Sequence, residues 1–200
     1  MLTQLIEDAK QNEEPIKEQT IENEVLTGAD FSKIEFESVR FLKCRFTSCD
    51  FTRAAFYHVT FVNCDLGSSN FSDSYWKDAT IQDCKADGTN FAQAVLKEVQ
   101  LENGTFHYSN FVHTGWNNCT INGSNFKDAY LSEVKFKKIT LTKVNFQNVD
   151  FFKTPLSGID FSDCTLDGIT VSDTFTELRG AKISGNQAEG IVRLLGIKVV

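Results

Sequence analysis

Six cysteines, three histidines and a recurring run of aspartates are the side chains in this 200-residue sequence that carry chemistry, and their spacing decides which. Cys44, Cys64 and Cys84 stand twenty residues apart, which raises metal or disulfide chemistry. No Cys-x-x-Cys pair and no Cys/His cluster accompanies them, so a zinc site lacks its ligand set. Free thiols filling small buried sites fit better, because Cys packs as a small hydrophobe. His58, His107 and His113 fall on outward positions of different faces of the repeat described next. A nucleophile, a base and the group that orients the base must converge within hydrogen-bond reach, and these three do not. Neither catalysis nor a cofactor or metal site is expected.

The third set is Asp30, Asp50, Asn70, Asn90, Asn110, Tyr130 and Asp150, one residue in every twenty. Two readings stand. Asp and Asn bond to nearby backbone at chain corners, which is a structural role. An outward ladder of charge and acceptors also imitates the phosphates of DNA.

What positions these residues is a period of five. Every fifth residue from Ile21 to Val171 is apolar: Ile21, Leu26, Phe31, Phe36, Phe41, Phe46, Phe51 and onward without a charged or polar interruption. Sixteen of the eighteen Phe and both Trp (Trp76, Trp116) fall in this column, where chance places about one in five, so the register is secure. A second column lies two residues earlier (Ala29, Ile34, Val39, Cys44, Cys49, Ala54), is small or β-branched throughout, and holds all six cysteines. A helix rotates a five-residue step by about 140° and smears the column around its circumference. A plain strand flips face at each odd step. A chain that turns a corner every five residues points both columns inside. Four sides then make a twenty-residue coil, and about eight coils stack about 4.8 Å apart into a rod about 35–40 Å long. Ala86 is the one small residue among the thirty-one centres and suggests a local bend at that coil.

In this register the chain resembles the pentapeptide repeat family, whose pattern is Ala-(Asp/Asn)-Leu/Phe-X-X. The matching stretches are Ala29-Asp30-Phe31-Ser32-Lys33, Ser69-Asn70-Phe71-Ser72-Asp73 and Ser124-Asn125-Phe126-Lys127-Asp128. The resemblance implies an all-β fold, a right-handed quadrilateral β-helix, over residues 21–173.

The ends differ. Residues 1–20 form an N-terminal capping segment in which Glu14 breaks the small column, and Leu2, Leu5, Ile6 and Ala9 have helical spacing. After Val171 the period slips, with Thr176 in an apolar place and Leu178 and Ile183 restarting it two residues late. Residues 174–200 read as a cap with a short α-helix. Ser184-Gly185-Asn186-Gln187 is a capping box, Ala188, Ile191 and Leu195 share a face, and Gly196 ends the helix. The tail Ile197-Lys198-Val199-Val200 stays apolar, and a homodimer contact through Ile191, Leu195, Ile197 and Val199 is expected.

A net charge of −7 disfavours direct nucleic-acid binding and permits a basic partner. It divides as −5 over residues 1–24, −4 over 25–173 and +2 over 174–200. No 18-residue apolar run spans a membrane. The first residues lack the basic and apolar regions of a signal peptide, so a cytoplasmic protein is expected.

Leu178-Arg179-Gly180-Ala181-Lys182-Ile183, Gln187-Ala188 and Leu195-Gly196-Ile197 resemble the C-terminus of the Qnr-type quinolone-resistance proteins. Asp73-Ser74-Tyr75 and Asp83-Cys84-Lys85-Ala86-Asp87 are similar to mid-chain segments of their Gram-positive members. The resemblance implies a dimeric, DNA-shaped rod that binds a type II topoisomerase, DNA gyrase or topoisomerase IV. Its outward acids, chiefly Asp30, Asp50, Asp65, Asp73 and Asp150, are then the binding residues. One departure counts against drug protection: the unbroken register leaves no room for the two projecting loops that many Gram-negative members carry. The alternative is a scaffolding solenoid whose partner docks on a flat face through Tyr57, Tyr75, Tyr108, Tyr130 and Phe152.

Overall fold

The structure is a computed structural model and describes residues 2–199. The five-residue period becomes a square because the residue two after each centre adopts a left-handed backbone. Lys33, Ser38, Lys43, Ser48 and Arg53 have φ of 61, 56, 52, 55 and 59°. A residue with a Cβ adopts this conformation at a cost of about 1 kcal/mol. The return is a hydrogen bond along the axis: the corner N–H groups of Lys33, Ser38 and Lys43 donate to the carbonyls of Thr52, Tyr57 and Val62 on the next coil, at 2.9, 2.9 and 3.0 Å.

Four walls result, and each holds every fourth centre. The first carries Ile16, Phe36, Phe56, Trp76, Leu96, Trp116, Phe136 and Leu156. The second carries Ile21, Phe41, Phe61, Ile81, Leu101, Ile121, Leu141 and Phe161. The third runs from Leu26 through Ala86 to Leu166, and the fourth from Phe31 to Val171. The first two walls are parallel strands in register, such as Glu35–Glu37 against Ala55–Tyr57 and Arg40–Leu42 against Thr60–Val62. The other two consist mainly of single bridges flanked by turns, such as Asp30 to Asp50 and Asp65 to Lys85. The parallel strands joined by crossovers wind right-handed, as parallel connections almost always do.

Inside, the large residues pile into shafts. Phe31, Phe51, Phe71, Phe91 and Phe111 stack with ring centroids 4.4, 4.6, 4.9 and 4.9 Å apart and planes within 8° of parallel. This spacing matches the inter-strand distance, so each ring sits directly on its neighbour. Both tryptophans are buried, and the second column satisfies their polar atoms. Trp76 Nε1 donates to Ser74 Oγ and Trp116 Nε1 to Thr114 Oγ1, each at 2.8 Å. Ala86 lies ten residues, half a coil, from Trp76, so a small residue stands on the wall opposite the large indole. No bend follows. The Asp65–Lys85–Thr105 bridges continue past it, and the Ala86 N–H donates to the Thr105 carbonyl at 2.7 Å.

The rod opens at Ile16, which pairs with Phe36 one pentapeptide before Ile21. Helix α1, Leu2–Asn12, lies over this first coil and buries Leu2, Ile6 and Ala9. Glu14 is exposed where α1 hands over to the coil, so its polar side chain never enters the shaft.

The expected eight uniform coils are corrected to about six turns of full strand pairing. On the first and second walls the ladder ends at the strand Lys135–Thr142, which pairs backwards with Gly115–Asn122 and has no backbone bond forward to 155–162. Pro155 has no N–H to give where Lys135, one coil earlier, donates to the Thr114 carbonyl at 2.9 Å. The third and fourth walls run on, with Thr165 bonded to Val144 and Thr170 to Val149.

The last coil closes with the two-residue offset. The N–H groups of Leu156, Gly158 and Phe161 donate to the carbonyls of Glu177, Gly180 and Lys182. Gln187 completes the capping box by accepting the Ser184 N–H at 2.6 Å, and its amide donates to the Phe161 and Cys164 carbonyls. Helix α2, Ala188–Leu194, follows.

Candidate functional site

With the interior filled, other molecules meet the walls, the corners and the two ends. Asp30, Asp50 and Asp150 lie in one column of the fourth wall, with Asn70, Asn90, Asn110 and Tyr130 between them. Each Asp or Asn turns one oxygen back to its own chain. Asp30 accepts the Ser32 N–H, Asp50 that of Thr52 and Asp150 that of Phe152, all at 2.9 Å. Asn70, Asn90 and Asn110 do the same for Ser72, Ala92 and Val112. The structural role is therefore real, and it leaves the net charge facing outward. Amides also link along the column, with Asn90 Nδ2 donating to Asn70 Oδ1 at 3.0 Å and Asn70 Nδ2 to Thr52 Oγ1 at 2.8 Å.

The carboxylates are not equivalent. Asp30 meets Lys10 of α1 at 2.5 Å, and that hydrogen bond, helped by Ser32, holds its carboxyl down at about 2. Asp50 also accepts the Thr52 hydroxyl, and Asp150 accepts the Ser132 hydroxyl at 2.7 Å. Asp65 lies on the third wall, where it accepts the Gly67 N–H and faces Arg45 at 3.8 Å. Asp73 sits on the corner between the fourth and first walls, exposed and with φ of 57°. The five predicted acids thus occupy two adjacent walls and a corner, without converging on one point. Acid is concentrated towards the N-terminus: residues 1–90 carry sixteen acidic and nine basic side chains, and 91–200 carry eleven of each.

Some charges on this rod pair from coil to coil. Lys17 faces Glu37 at 2.6 Å, and the carboxylate raises the lysine above its ordinary range. Every histidine follows the same rule: His58 meets Asp78 at 2.8 Å, His113 meets Glu133 at 3.6 Å and His107 meets Asp87 at 3.8 Å. These are separate two-member pairs on different walls and corners. The six cysteines are free thiols. Burial pushes Cys49, Cys119 and Cys164 up, away from thiolate chemistry. Among the described residues no His/Cys/Asp/Glu group has the arrangement to hold a metal ion, and no helix is long and apolar enough to cross a membrane.

The C-terminal end is apolar. Ile191 of α2 packs over the last coil and, with Leu156, Phe161, Leu166, Ile169, Leu178, Ala181 and Ile183, lines a cavity of about 60 Å³. Leu195, Ile197 and Val199 project beyond it, each about half exposed. Ile191 therefore seals the coil, and the other three form the outward apolar patch.

Sequence models of pentapeptide repeats match residues 17–91, 56–129 and 129–168. The chain belongs to the pentapeptide repeat family. Among solved structures, this pentapeptide-repeat rod is similar to a trypsin-treated variant of QnrB1, a plasmid-mediated fluoroquinolone resistance protein. Identity is 19% over 91% of this chain and 100% of that one, with a TM-score of 0.57. Full-length QnrB1 gives 18% identity over 90% and 100% of the two chains, with a TM-score of 0.50. At such identities the likeness is one of fold. No curated protein matches the sequence. Pentapeptide-repeat solenoids are typically structural or binding proteins.

Proposed function

We propose that this protein is a DNA mimic that binds a type II topoisomerase, DNA gyrase or topoisomerase IV, and lowers quinolone susceptibility. The observation that carries the reading is a filled rod, alike in fold to full-length QnrB1 over the whole of that chain, whose outward surface is acidic over its N-terminal half. A rod of near-duplex width offers Asp30, Asp50, Asp65, Asp73 and Asp150 to the basic groove that normally holds phosphates, so shape and charge do the work. No bond is made or broken, and no cofactor is required. Two rods join through Leu195, Ile197 and Val199, with Ile191 beneath them, as a twofold dimer. A topoisomerase partner places the protein in the cytoplasm.

Supercoiling by gyrase, assayed with and without ciprofloxacin, tests the proposal. The purified protein should alter the enzyme's activity or its drug sensitivity, and more weakly as salt rises. A protein without effect on either topoisomerase at any concentration would end it. The same assay separates protection from plain inhibition.

A second reading rests on a different observation. Tyr108, Tyr130 and Phe152 are 64, 50 and 39% exposed on the fourth wall and its edge, although aromatic rings are usually covered. A scaffolding rod would use them to dock a protein partner, and duplex DNA would not compete.

A further inference from the structure

The break between Lys135–Thr142 and the coil after it leaves a sheet edge open partway along the rod. In each regular coil the N–H groups of the centre and of the corner point forward and are accepted by the next coil, as Phe111 is by Tyr130 and His113 by Ser132. At the break, the N–H groups of Phe136, Lys138, Leu141 and Lys143 have no acceptor among the described residues. In the register of earlier coils, where Ala55 donates to the Ile34 carbonyl, the donor to the Val134 carbonyl would be Pro155, which has no N–H. The interior is uncovered to match. Phe136, Ile139 and Leu141 are inward residues that stay partly exposed, whereas Trp116, Cys119 and Ile121 one coil earlier are 1% exposed. Unpaired backbone beside uncovered apolar surface is the arrangement that accepts an added strand.

Charge says what kind of strand. Ion pairs on this rod form directly across the rungs, twenty residues apart, as in Lys17–Glu37 and Arg45–Asp65. Lys135, Lys137, Lys138 and Lys143 line the open edge, and no ion pair within the described residues reaches them. Asp160 and Asp163 border the far lip, and Asp160 is drawn towards Ser162 and Lys182. Lysines at a sheet edge repel basic strands and disfavour neutral ones, which leaves an acidic strand as the favoured guest.

We propose that the edge of Lys135–Thr142 is a docking site for an extended acidic segment of a protein partner, which joins the first wall as a parallel strand. The guest takes the pattern acidic–apolar–acidic. Its apolar side chain enters the shaft between Phe136 and Leu156, and its two carboxylates stand opposite Lys135 and Lys137. This site is separate from the proposed topoisomerase contact, because it uses Lys135, Lys137 and Lys138 and none of Asp30, Asp50, Asp65, Asp73 and Asp150.

The test uses the full chain and a fluorescein-labelled peptide of alternating Glu and Ile, with a Lys/Ile peptide as control. Anisotropy should show at least about tenfold tighter binding of the acidic peptide, and the variant Lys135→Glu/Lys137→Glu should reverse the preference. Amide exchange supplies a readout that needs no guest. In the free protein the Phe136, Lys138 and Leu141 amides should exchange at least about 100-fold faster than those of the Gly115–Asn122 strand. The acidic peptide should then slow the Phe136 and Lys138 amides, which face the first wall and its corner. Equal protection in the free protein means a closed edge and overturns the proposal. So does peptide binding that leaves these amides unchanged, or capture of a duplex oligonucleotide at this edge in preference to the peptide.

Discussion

Glu177 offers the sharpest test of how the rod is closed. It stands outside the five-residue columns, yet it is 3% exposed. Its Oε1 accepts the N–H groups of Lys153 at 2.8 Å and Ser172 at 3.1 Å, and its Oε2 accepts the Ser172 hydroxyl at 2.8 Å. Burial pushes this carboxyl up. The hydrogen bonds from its own backbone, Ser172 and Lys153 outweigh burial, and the net shift is downward from 4.5. Glu177→Ala leaves the partly buried N–H groups of Lys153 and Ser172 without an acceptor. Each costs about 1–3 kcal/mol, so the variant should lose about 2–6 kcal/mol. Glu177→Gln keeps Oε1 and should lose less than about 1 kcal/mol. Urea unfolding measures both, and amide exchange should place the loss at Lys153 and Ser172, because stability in a solenoid is carried between neighbouring coils. The pH dependence has a fixed sign. A lowered carboxyl contributes fully above its unfolded value and loses that contribution as pH falls through its folded one. The Gln variant should therefore converge on the parent in acid. An Ala variant as stable as the Gln variant would refute the claim that this carboxylate ties the last coils together.

Further predictions follow from the interior and from α1. Phe71→Ala removes the middle ring of the Phe51–Phe71–Phe91 stack and should cost about 3–5 kcal/mol by chemical denaturation. Ser74→Ala deprives the buried Trp76 indole of its acceptor and should cost about 1–3 kcal/mol, with a changed tryptophan emission spectrum as an independent sign. Asp30→Asn should cost less than about 1 kcal/mol at neutral pH, because the Lys10–Asp30 pair is largely solvated. That difference should persist above an ordinary Asp value of 3.8 and fade as pH approaches about 2, as an acid titration of both proteins would show.

The solenoid was legible in the sequence because a square coil converts a single physical demand, two inward side chains per five residues, into a strict period. Phe51, Phe71 and Phe91 announced their stack twenty residues at a time. Residues outside that period were harder to place. Glu177 looks like an ordinary surface acid until the two-residue offset after Val171 turns it inward. Ser74 and Thr114 belong to the small inward column, and only the indole beside each shows why a hydroxyl is there. Ala86 suggested a bend, but the rod absorbs it by setting a small residue across from Trp76. The open edge at Lys135–Thr142 was hidden because the period of five continues through Pro155 unchanged, while the hydrogen bonds that would close the coil do not.

The outward acids were visible as a column, whereas their division of labour was not. A carboxylate that caps its own turn and one that faces a partner have the same one-letter code. Asp73 differs from Asp30, Asp50 and Asp150 in standing at a left-handed corner, where no backbone N–H among the described residues engages its carboxylate.

Competition between this protein and linear duplex DNA for purified gyrase, followed over a range of salt concentrations, tests DNA mimicry most directly. A mimic is displaced by duplex DNA, binds less tightly as salt rises, and weakens further when Asp30, Asp50, Asp65 and Asp73 are changed to Asn. Binding that duplex DNA leaves untouched, or that survives loss of those carboxylates, would contradict it.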